Sequence, residues 1–285
     1  MENMLLNNGL SMPKIGIGTF LLKPEEAEQA VLWALESGYR SIDTANVYFN
    51  EKAVGRAIKK SGVPREEIFL TSKIWPSTFK YEKAKKAIDD TLARLGVDYL
   101  DCLILHQAAG KYLEAYRAIE EAVEEGKVRS IGLSNFYGKA FEKVLANAKI
   151  KPVLDTLECN PICQQDEMRE RLAKENMILE SWYPLGGKGN SSIAQNPIFV
   201  ELAKKYGKTP YQVILRWHLD MGYMIIPGSK SQSHIKQNLD ILDFSLAKEE
   251  MAQIATLNKE KQRLGLNGFV RALIPLVRFN YDKQA

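Results

Sequence analysis

The chain has 285 residues, 45% of them hydrophobic and 26% charged, which is enough to build one sizeable core without disulfides or a structural metal. Its 39 Lys+Arg against 35 Asp+Glu are spread along the chain, and runs such as Lys83–Lys86 sit at helical spacing, so a nucleic-acid patch is excluded in favour of a solvated helix face. No run of about 18 apolar residues is present to span a membrane, and Met1–Leu10 lacks the basic-then-apolar pattern of a signal peptide.

The first predicted element is a hairpin, signalled by Asn8-Gly9 between Met4–Leu6 and Leu10–Met12. Eight β-rich runs follow: Ile15–Gly18, Ser41–Thr44, Phe69–Ile74, Tyr99–His106, Ser130–Ser134, Val153–Asn160, Ile178–Tyr183 and Met224–Pro227. Between them apolar residues recur at three- and four-residue spacing, as in Ala27/Ala30/Val31/Ala34/Leu35, Ala84/Ala87/Ile88/Thr91/Leu92/Leu95 and Phe141/Val144/Leu145/Ala148. Gly38, Gly96, Gly126 and Gly207 mark helix ends, and Thr209-Pro210 reads as a cap followed by proline at the first helical position. Strand–helix alternation means a parallel sheet, and eight units in about 250 residues favour closure into a (β/α)8 barrel. An open doubly wound sheet would want Gly-x-Gly-x-x-Gly after its first strand, but Gly16-Ile17-Gly18 is followed by Thr19, Phe20 and Leu21. Residues 1–285 thus read as one barrel domain, α/β in class, with an N-terminal hairpin and a C-terminal tail. That tail, residues 259–285, carries Leu264, Leu266, Phe269, Val270, Leu273, Ile274, Leu276, Val277 and Phe279. It is too apolar to hang free and is expected to fold back, over the barrel mouth or against a helix or another subunit.

Reactive groups of such a barrel sit at the C-terminal ends of its strands. Asp43 ends the second predicted strand with Tyr48 five residues on, Lys73 lies at the end of the third, and His106 ends the fourth. Strand alternation puts Ser41 with Asp43, Thr71 with Lys73 and Ile104 with His106 on one face, leaving Ile42, Leu70, Ile74, Leu103 and Leu105 to pack under helices. Taken singly these residues are ordinary caps, surface groups or core. Together they aim an acid, an amine, an imidazole and a phenol into one mouth. An aspartate keeps a partly buried ammonium charged, and the ammonium is expected to lower the pKa of a nearby phenol, making it a proton donor to a carbonyl oxygen. Histidine can hydrogen-bond that oxygen. No side chain supplies hydride, so a cofactor is required. Three cysteines, Cys102, Cys159 and Cys163, without a Cys-x-x-Cys pair, and only three His, suggest a reduced, cytoplasmic protein with no metal.

The sequence resembles the aldo-keto reductases. The matching stretches are Gly38-Tyr39-Arg40-Ser41-Ile42-Asp43-Thr44-Ala45, Tyr48 with Asn50-Glu51 and Val54-Gly55, Thr71-Ser72-Lys73-Ile74-Trp75, Leu100-Asp101 through Leu105-His106, Gly126 through Phe136, Trp182-Tyr183-Pro184-Leu185-Gly186 and Ile226-Pro227-Gly228-Ser229. They occur in order and cover nearly the whole chain to about Asn258. The resemblance implies a (β/α)8 barrel, a tetrad of Asp43, Tyr48, Lys73 and His106, and NADPH across the mouth. By the same resemblance, Gly18 and Thr19 would line the cofactor, Ser134 and Asn135 would bind the nicotinamide carboxamide, and Trp182 would stack on its ring. Leu185 and Gly186 would pass the pyrophosphate, and Ser229, Lys230, His234 and Asn238 would hold the adenosine end.

Departures from the family pattern bear on cofactor and substrate. Thr156 stands where a glutamine is common at the carboxamide, and Tyr183 where a serine often follows the stacking aromatic. Gly228 and His234 replace a frequent lysine and arginine that bear on the 2′-phosphate, leaving Lys230 as the cation, so NADPH is expected with NADH as the alternative. Gln107 replaces a common tryptophan and makes the wall more polar. By the same resemblance, Phe20, Phe49, Trp75 and Gln107, with part of the tail, would form a pocket for a small-molecule carbonyl substrate; no nucleic-acid or membrane partner is expected. The competing reading is a non-catalytic nicotinamide-nucleotide-binding regulatory subunit on the same barrel, against which the intact tetrad argues. A metal-dependent hydrolase lacks its His/carboxylate cluster, and a Schiff-base aldolase using Lys73 would find that lysine kept protonated by Asp43.

Overall fold

Alternating strand and helix periodicities are realised along nearly the whole chain, for which the computed structural model describes residues 2–187, 192–260, 262, 273–281 and 283–284. Strands β1 (Asn3–Leu5) and β2 (Ser11–Pro13) form the antiparallel hairpin, with Met4 opposite Met12 and Gly9 at φ 86° in its turn. The strands β3 (Ile17–Gly18), β4 (Ser41–Asp43), β5 (Phe69–Ile74), β6 (Cys102–Leu105), β7 (Ile131–Ser134), β8 (Leu154–Glu158), β9 (Ile178–Trp182) and β10 (Met224–Ile225) pair in parallel in chain order. A parallel bridge between Ile15 and Ile225 joins the two ends of the sheet, with the Gly16 N–H donating to the Ile225 carbonyl at 2.9 Å. The sheet is therefore a closed (β/α)8 barrel.

Helices α1 (Pro24–Glu36), α2 (Glu51–Ser61), α3 (Tyr81–Leu95), α4 (Tyr112–Glu124), α5 (Gly138–Leu145), α6 (Asp166–Lys174), α7 (Pro197–Tyr206), α8 (Pro210–Asp220), α9 (Gln232–Leu239) and α10 (Lys248–Ala255) fill the intervals. The residues on the apolar stripes of α1 and α3 are the ones buried. Thr209 caps α8 through a reciprocal pair of bonds with Gln212, as the Thr-Pro signal requires. The predicted strand Tyr99–His106 shortens to Cys102–Leu105, and its early residue Leu100 makes only an isolated bridge with Val128.

Strand alternation separates two cores. Ile42, Leu70, Ile74, Leu103 and Leu105 face outward into the layer under the helices. Phe69, Cys102, Ile104, Leu154 and Met224 fill the barrel interior, and Leu6 and Met12 of the hairpin close its N-terminal end. Packing inside is tight enough that Gly132 has no room for a side chain: a Cβ there would lie 2.6 Å from Ile104. The three cysteines are buried and unpaired. Among the described residues no helix is long and apolar enough to cross a membrane.

Because Met12 is fully buried where the hairpin seals the interior, Met12→Ala should lower unfolding free energy by about 2–4 kcal/mol. Urea denaturation checks this; an unchanged midpoint would mean the hairpin adds nothing to the barrel's stability.

Candidate active site

Parallel strands deliver their C-terminal ends to one rim, so residues remote in sequence meet there. Asp43 ends β4, Lys73 is the penultimate residue of β5, and His106 follows β6. The loop after β4 makes a short 3-10 turn, Asn46–Tyr48, which brings Tyr48 back over the same rim. All four line one cavity of about 800 Å³ at the barrel mouth, together with Phe20, Trp75, Gln107 and Phe279.

The centre of the site is an ion pair. The Lys73 ammonium donates to both carboxylate oxygens of Asp43, to Oδ2 at 2.6 Å, and to the Thr44 carbonyl at 3.1 Å. Both residues are 2% exposed, which makes each intolerable without the other. Burial pulls the Lys73 pKa down, but the facing Asp43, with Tyr48 and Glu180, more than reverses this and keeps the ammonium protonated. Burial also pushes the Asp43 carboxyl up, and Lys73 recovers part of the shift.

The same ammonium lies 5.1 Å from the centre of the Tyr48 ring. Its pull on the phenol is the one expected, yet the net shift is opposite to that expectation. Burial raises the Tyr48 pKa more than Lys73 lowers it, Asp43 adds to the rise, and the phenol is lifted to about 12. Tyr48 therefore holds its proton at neutral pH. His106 packs edge-on against Tyr48 and Trp75, at ring separations of 5.6 and 5.1 Å. Burial, then the charge of Lys73, holds its imidazole well below the ordinary range, so it is neutral. Its Nδ1 is buried and has no hydrogen-bond partner among the described residues.

Loop positions are fixed by buried polar side chains. Asn50 accepts from the Thr44 hydroxyl at 2.9 Å and donates to the carbonyls of Thr19 and Leu22, tying the Tyr48 loop to the loop after β3. Next to it, buried Glu51 is held by Ser72 and Arg94, each at 2.6 Å. The described end of the tail, residues 273–281 and 283–284, packs at the mouth. Phe279 packs against Phe49 and Trp75, the Tyr281 hydroxyl meets Ser77 at 3.1 Å, and Gln284 accepts from the Lys52 N–H at 3.3 Å. The expected tail residues Leu264, Leu266, Phe269 and Val270 lie outside the described residues.

The remaining predicted residues divide. Gly18, Ser134, Asn135, Thr156, Trp182, Leu185, Ser229 and Lys230 line the cavity. Asn135 donates to the Ser134 hydroxyl at 2.9 Å and accepts from the Trp182 indole at 3.3 Å, so these three act as one wall. Thr19, Phe49, Gly186, His234 and Asn238 do not line it. Thr19 is fully buried, its hydroxyl donating to the Asp43 carbonyl at 3.0 Å, which ties it to the base of the site. Phe49 turns into the tail, and His234 and Asn238 lie on α9, His234 exposed and Asn238 buried. Lys230 is ion-paired with Glu26 of α1 at 2.7 Å. Phe279 is the part of the expected tail that reaches the wall; sequence reasoning missed Tyr211 on that wall, and it missed Glu180, a fully buried carboxyl on β9 close enough to influence Lys73. The alternation Ile178/Glu180/Trp182 was the signal that could have found it, since it puts Glu180 on the inner face.

The family model described as "Aldo/keto reductase family" matches residues 14–259. The chain belongs to the aldo/keto reductase family. It is 41% identical over 268 residues to a glyoxal reductase of Bacillus subtilis, covering 93% of this chain and 96% of the relative. It is 39% identical to a 9,11-endoperoxide prostaglandin H2 reductase of Trypanosoma cruzi, over 90% of this chain and 92% of that one. Among solved structures, a Bombyx mori aldo-keto reductase in complex with NADP superposes with a TM-score of 0.87 at 33% identity, covering 92% of this chain and 94% of that chain. This aldo/keto reductase is accordingly an oxidoreductase acting on carbonyl groups, in a family that binds NAD(P)H.

Removing one partner of the central pair strands the other. Lys73→Met should cost about 3–5 kcal/mol of stability near neutral pH, measured by chemical denaturation. The loss should shrink as pH falls, because Asp43 without its ammonium takes up a proton; a pH-independent loss would contradict an unpaired charge as its cause.

Proposed function

We propose that this aldo/keto reductase converts small aldehydes and ketones to alcohols with Tyr48 as the proton donor and NADPH as the preferred cofactor. The observation that carries this reading is the Lys73 ammonium, pinned by Asp43, facing the Tyr48 ring at the cavity floor. A phenol that keeps its proton at neutral pH is a reservoir of acid that is spent only on a strong base, and a forming alkoxide is one. Lys73 favours the phenolate left behind, so its charge is worth more after proton transfer than before. His106, neutral and edge-on to Tyr48, is suited to hydrogen-bonding the carbonyl oxygen without competing as an acid.

The cavity residues fit a nicotinamide cofactor, whose chemistry when bound is the supply of hydride. Ser134 and Asn135 offer hydroxyl and amide groups to a carboxamide, and the Trp182 indole, fixed by Asn135, offers an aromatic face. Thr156 takes the place of the family's glutamine on the same wall. Lys230 would meet the 2′-phosphate, with Glu26 as its resting partner. Phe20, Trp75 and Phe279 give the substrate end an apolar wall and Gln107 gives it a polar group, a lining suited to small carbonyl compounds. The glyoxal reductase among its relatives supports the same class.

Loss of nicotinamide absorbance with glyoxal and a panel of simple aldehydes, using each reduced cofactor in turn, tests the activity; no turnover with any of them would favour a non-catalytic nucleotide-binding barrel. Tyr48→Phe should lower kcat by a factor of about 100 or more while cofactor affinity, read from Trp182 fluorescence quenching, stays near wild type. Retained turnover would point to another acid. Lys230→Ala should weaken NADPH binding about tenfold and NADH binding hardly at all. Equal losses for both cofactors would remove Lys230 from the phosphate site.

A further inference from the structure

Beneath the tetrad the barrel interior holds apolar side chains and the small hydroxyl residues Ser41, Thr71 and Thr156, and into it β9 sends the carboxyl of Glu180, which is fully buried and in register with Thr156 on β8 and Met224 on β10. It does not line the cavity, but Thr156 does. The Thr156 hydroxyl donates to Glu180 Oε2 at 3.2 Å, while Oε1 has no hydrogen-bond partner among the described residues. The charged and titratable groups that Glu180 faces are Asp43 from β4, Lys73 from β5, Tyr48 from the loop after β4, and Cys102 from β6. Its strand neighbours at the same level, Thr156 and Met224, bring no charge.

Two carboxyl groups thus compete for one ammonium in a closed, low-dielectric space. Asp43 takes the ammonium with both oxygens. With both carboxyls ionised the interior would hold an uncompensated negative charge, so one of them keeps its proton. Glu180 has only a threonine hydroxyl for support and is that one. Burial, then the charge of Asp43, lifts its pKa to about 8, with Lys73 and Thr156 pulling back.

We propose that Glu180 is a positioning residue for the reduction: a buried acid that, while protonated, leaves Lys73 to Asp43 and Tyr48, and that on losing its proton weakens Tyr48 as a donor through the shared ammonium. The proposal rests on Tyr48 being the acid. An ionised Glu180 sets a second negative charge against the phenol, whose proton then becomes harder to release. The same carboxyl commits the Thr156 hydroxyl proton inward, so the oxygen turns its remaining lone pair toward the cavity as an acceptor for an amide N–H.

The pH profile of kcat for carbonyl reduction, measured between about pH 6 and about pH 10 with wild type and Glu180→Gln, tests this. Wild type is expected to lose about threefold or more of its kcat through a step near 8. Glu180→Gln should stay within about threefold of wild type at the acid end and lack that step. A step that persists unchanged in the variant, or a wild-type profile without one, overturns the proposal. Tyr48→Phe separately decides the identity of the acid, so the two failures are distinguishable.

Stability gives a readout independent of turnover. A carboxyl whose pKa is higher folded than unfolded costs stability as pH rises between those two values, here from about 4.5 to about 8. Wild type should therefore lose Tm relative to Glu180→Gln as pH rises through that window, and parallel curves would overturn the proposal. Should the variant not fold, infrared spectroscopy of wild type decides. Burial also pushes the Asp155 carboxyl up, so the deciding feature is a protonated-carboxyl band that titrates near 8, separate from that of Asp155: its presence supports the assignment, and the lack of any band titrating there overturns it.

Discussion

An ammonium ion inside a barrel must be met by a carboxylate, and in this reductase Asp43 meets Lys73 with both oxygens while the Thr44 carbonyl takes a third hydrogen. Such a pair is poor value as a source of stability, since desolvating two ions offsets most of their attraction. What it fixes is position. Asp43 and Thr71 are register partners on adjacent parallel strands, so Lys73, two residues further along β5, rises past the carboxylate toward the mouth. Tyr48 and His106 are then arranged around a charge that cannot move.

The strand framework alone does not place Tyr48, which lies on a loop. Its position is set by side chains that follow it directly: Asn50 binds the loop to the turn after β3, and Glu51 anchors the start of α2 to Ser72 and Arg94. The tail bears on the same place, through Phe279 against Phe49 and Gln284 against Lys52. Tyr48, its loop anchors and the Phe279 side of the cavity are one packed unit, so on the proposed reading the segment that shapes the pocket also steadies the proton donor. Variation in the tail would alter turnover as well as substrate choice.

Much of this was legible in the sequence, for identifiable reasons. The eight strands and the inward facing of Asp43, Lys73 and His106 follow from a period of two and from parallel strands sharing one rim. The direction of the Tyr48 shift was misjudged because charge proximity can be read from strand ends, whereas desolvation depends on how completely the loop buries the hydroxyl. Thr19 was expected beside the cofactor by resemblance to the family; its hydroxyl turns inward to the Asp43 carbonyl, a direction that no motif shows. Tyr211 comes from the first turn of α8, and nothing in a helix pattern says that this turn reaches the mouth. Glu180 was passed over because reactive groups of a barrel are expected at strand ends, whereas Glu180 sits in the middle of β9.

The burial of the three cysteines has a bearing on the life of a protein that handles carbonyl compounds. Aldehydes are electrophiles, and thiolate sulfur is the protein nucleophile they attack most readily. Cys102, Cys159 and Cys163 are each buried, and burial raises all three thiol pKa values, so little thiolate exists and none of it meets solvent. The barrel is thereby insulated from covalent adduct formation at sulfur by the compounds it draws in, and its working lifetime is freed from a side reaction of its own chemistry.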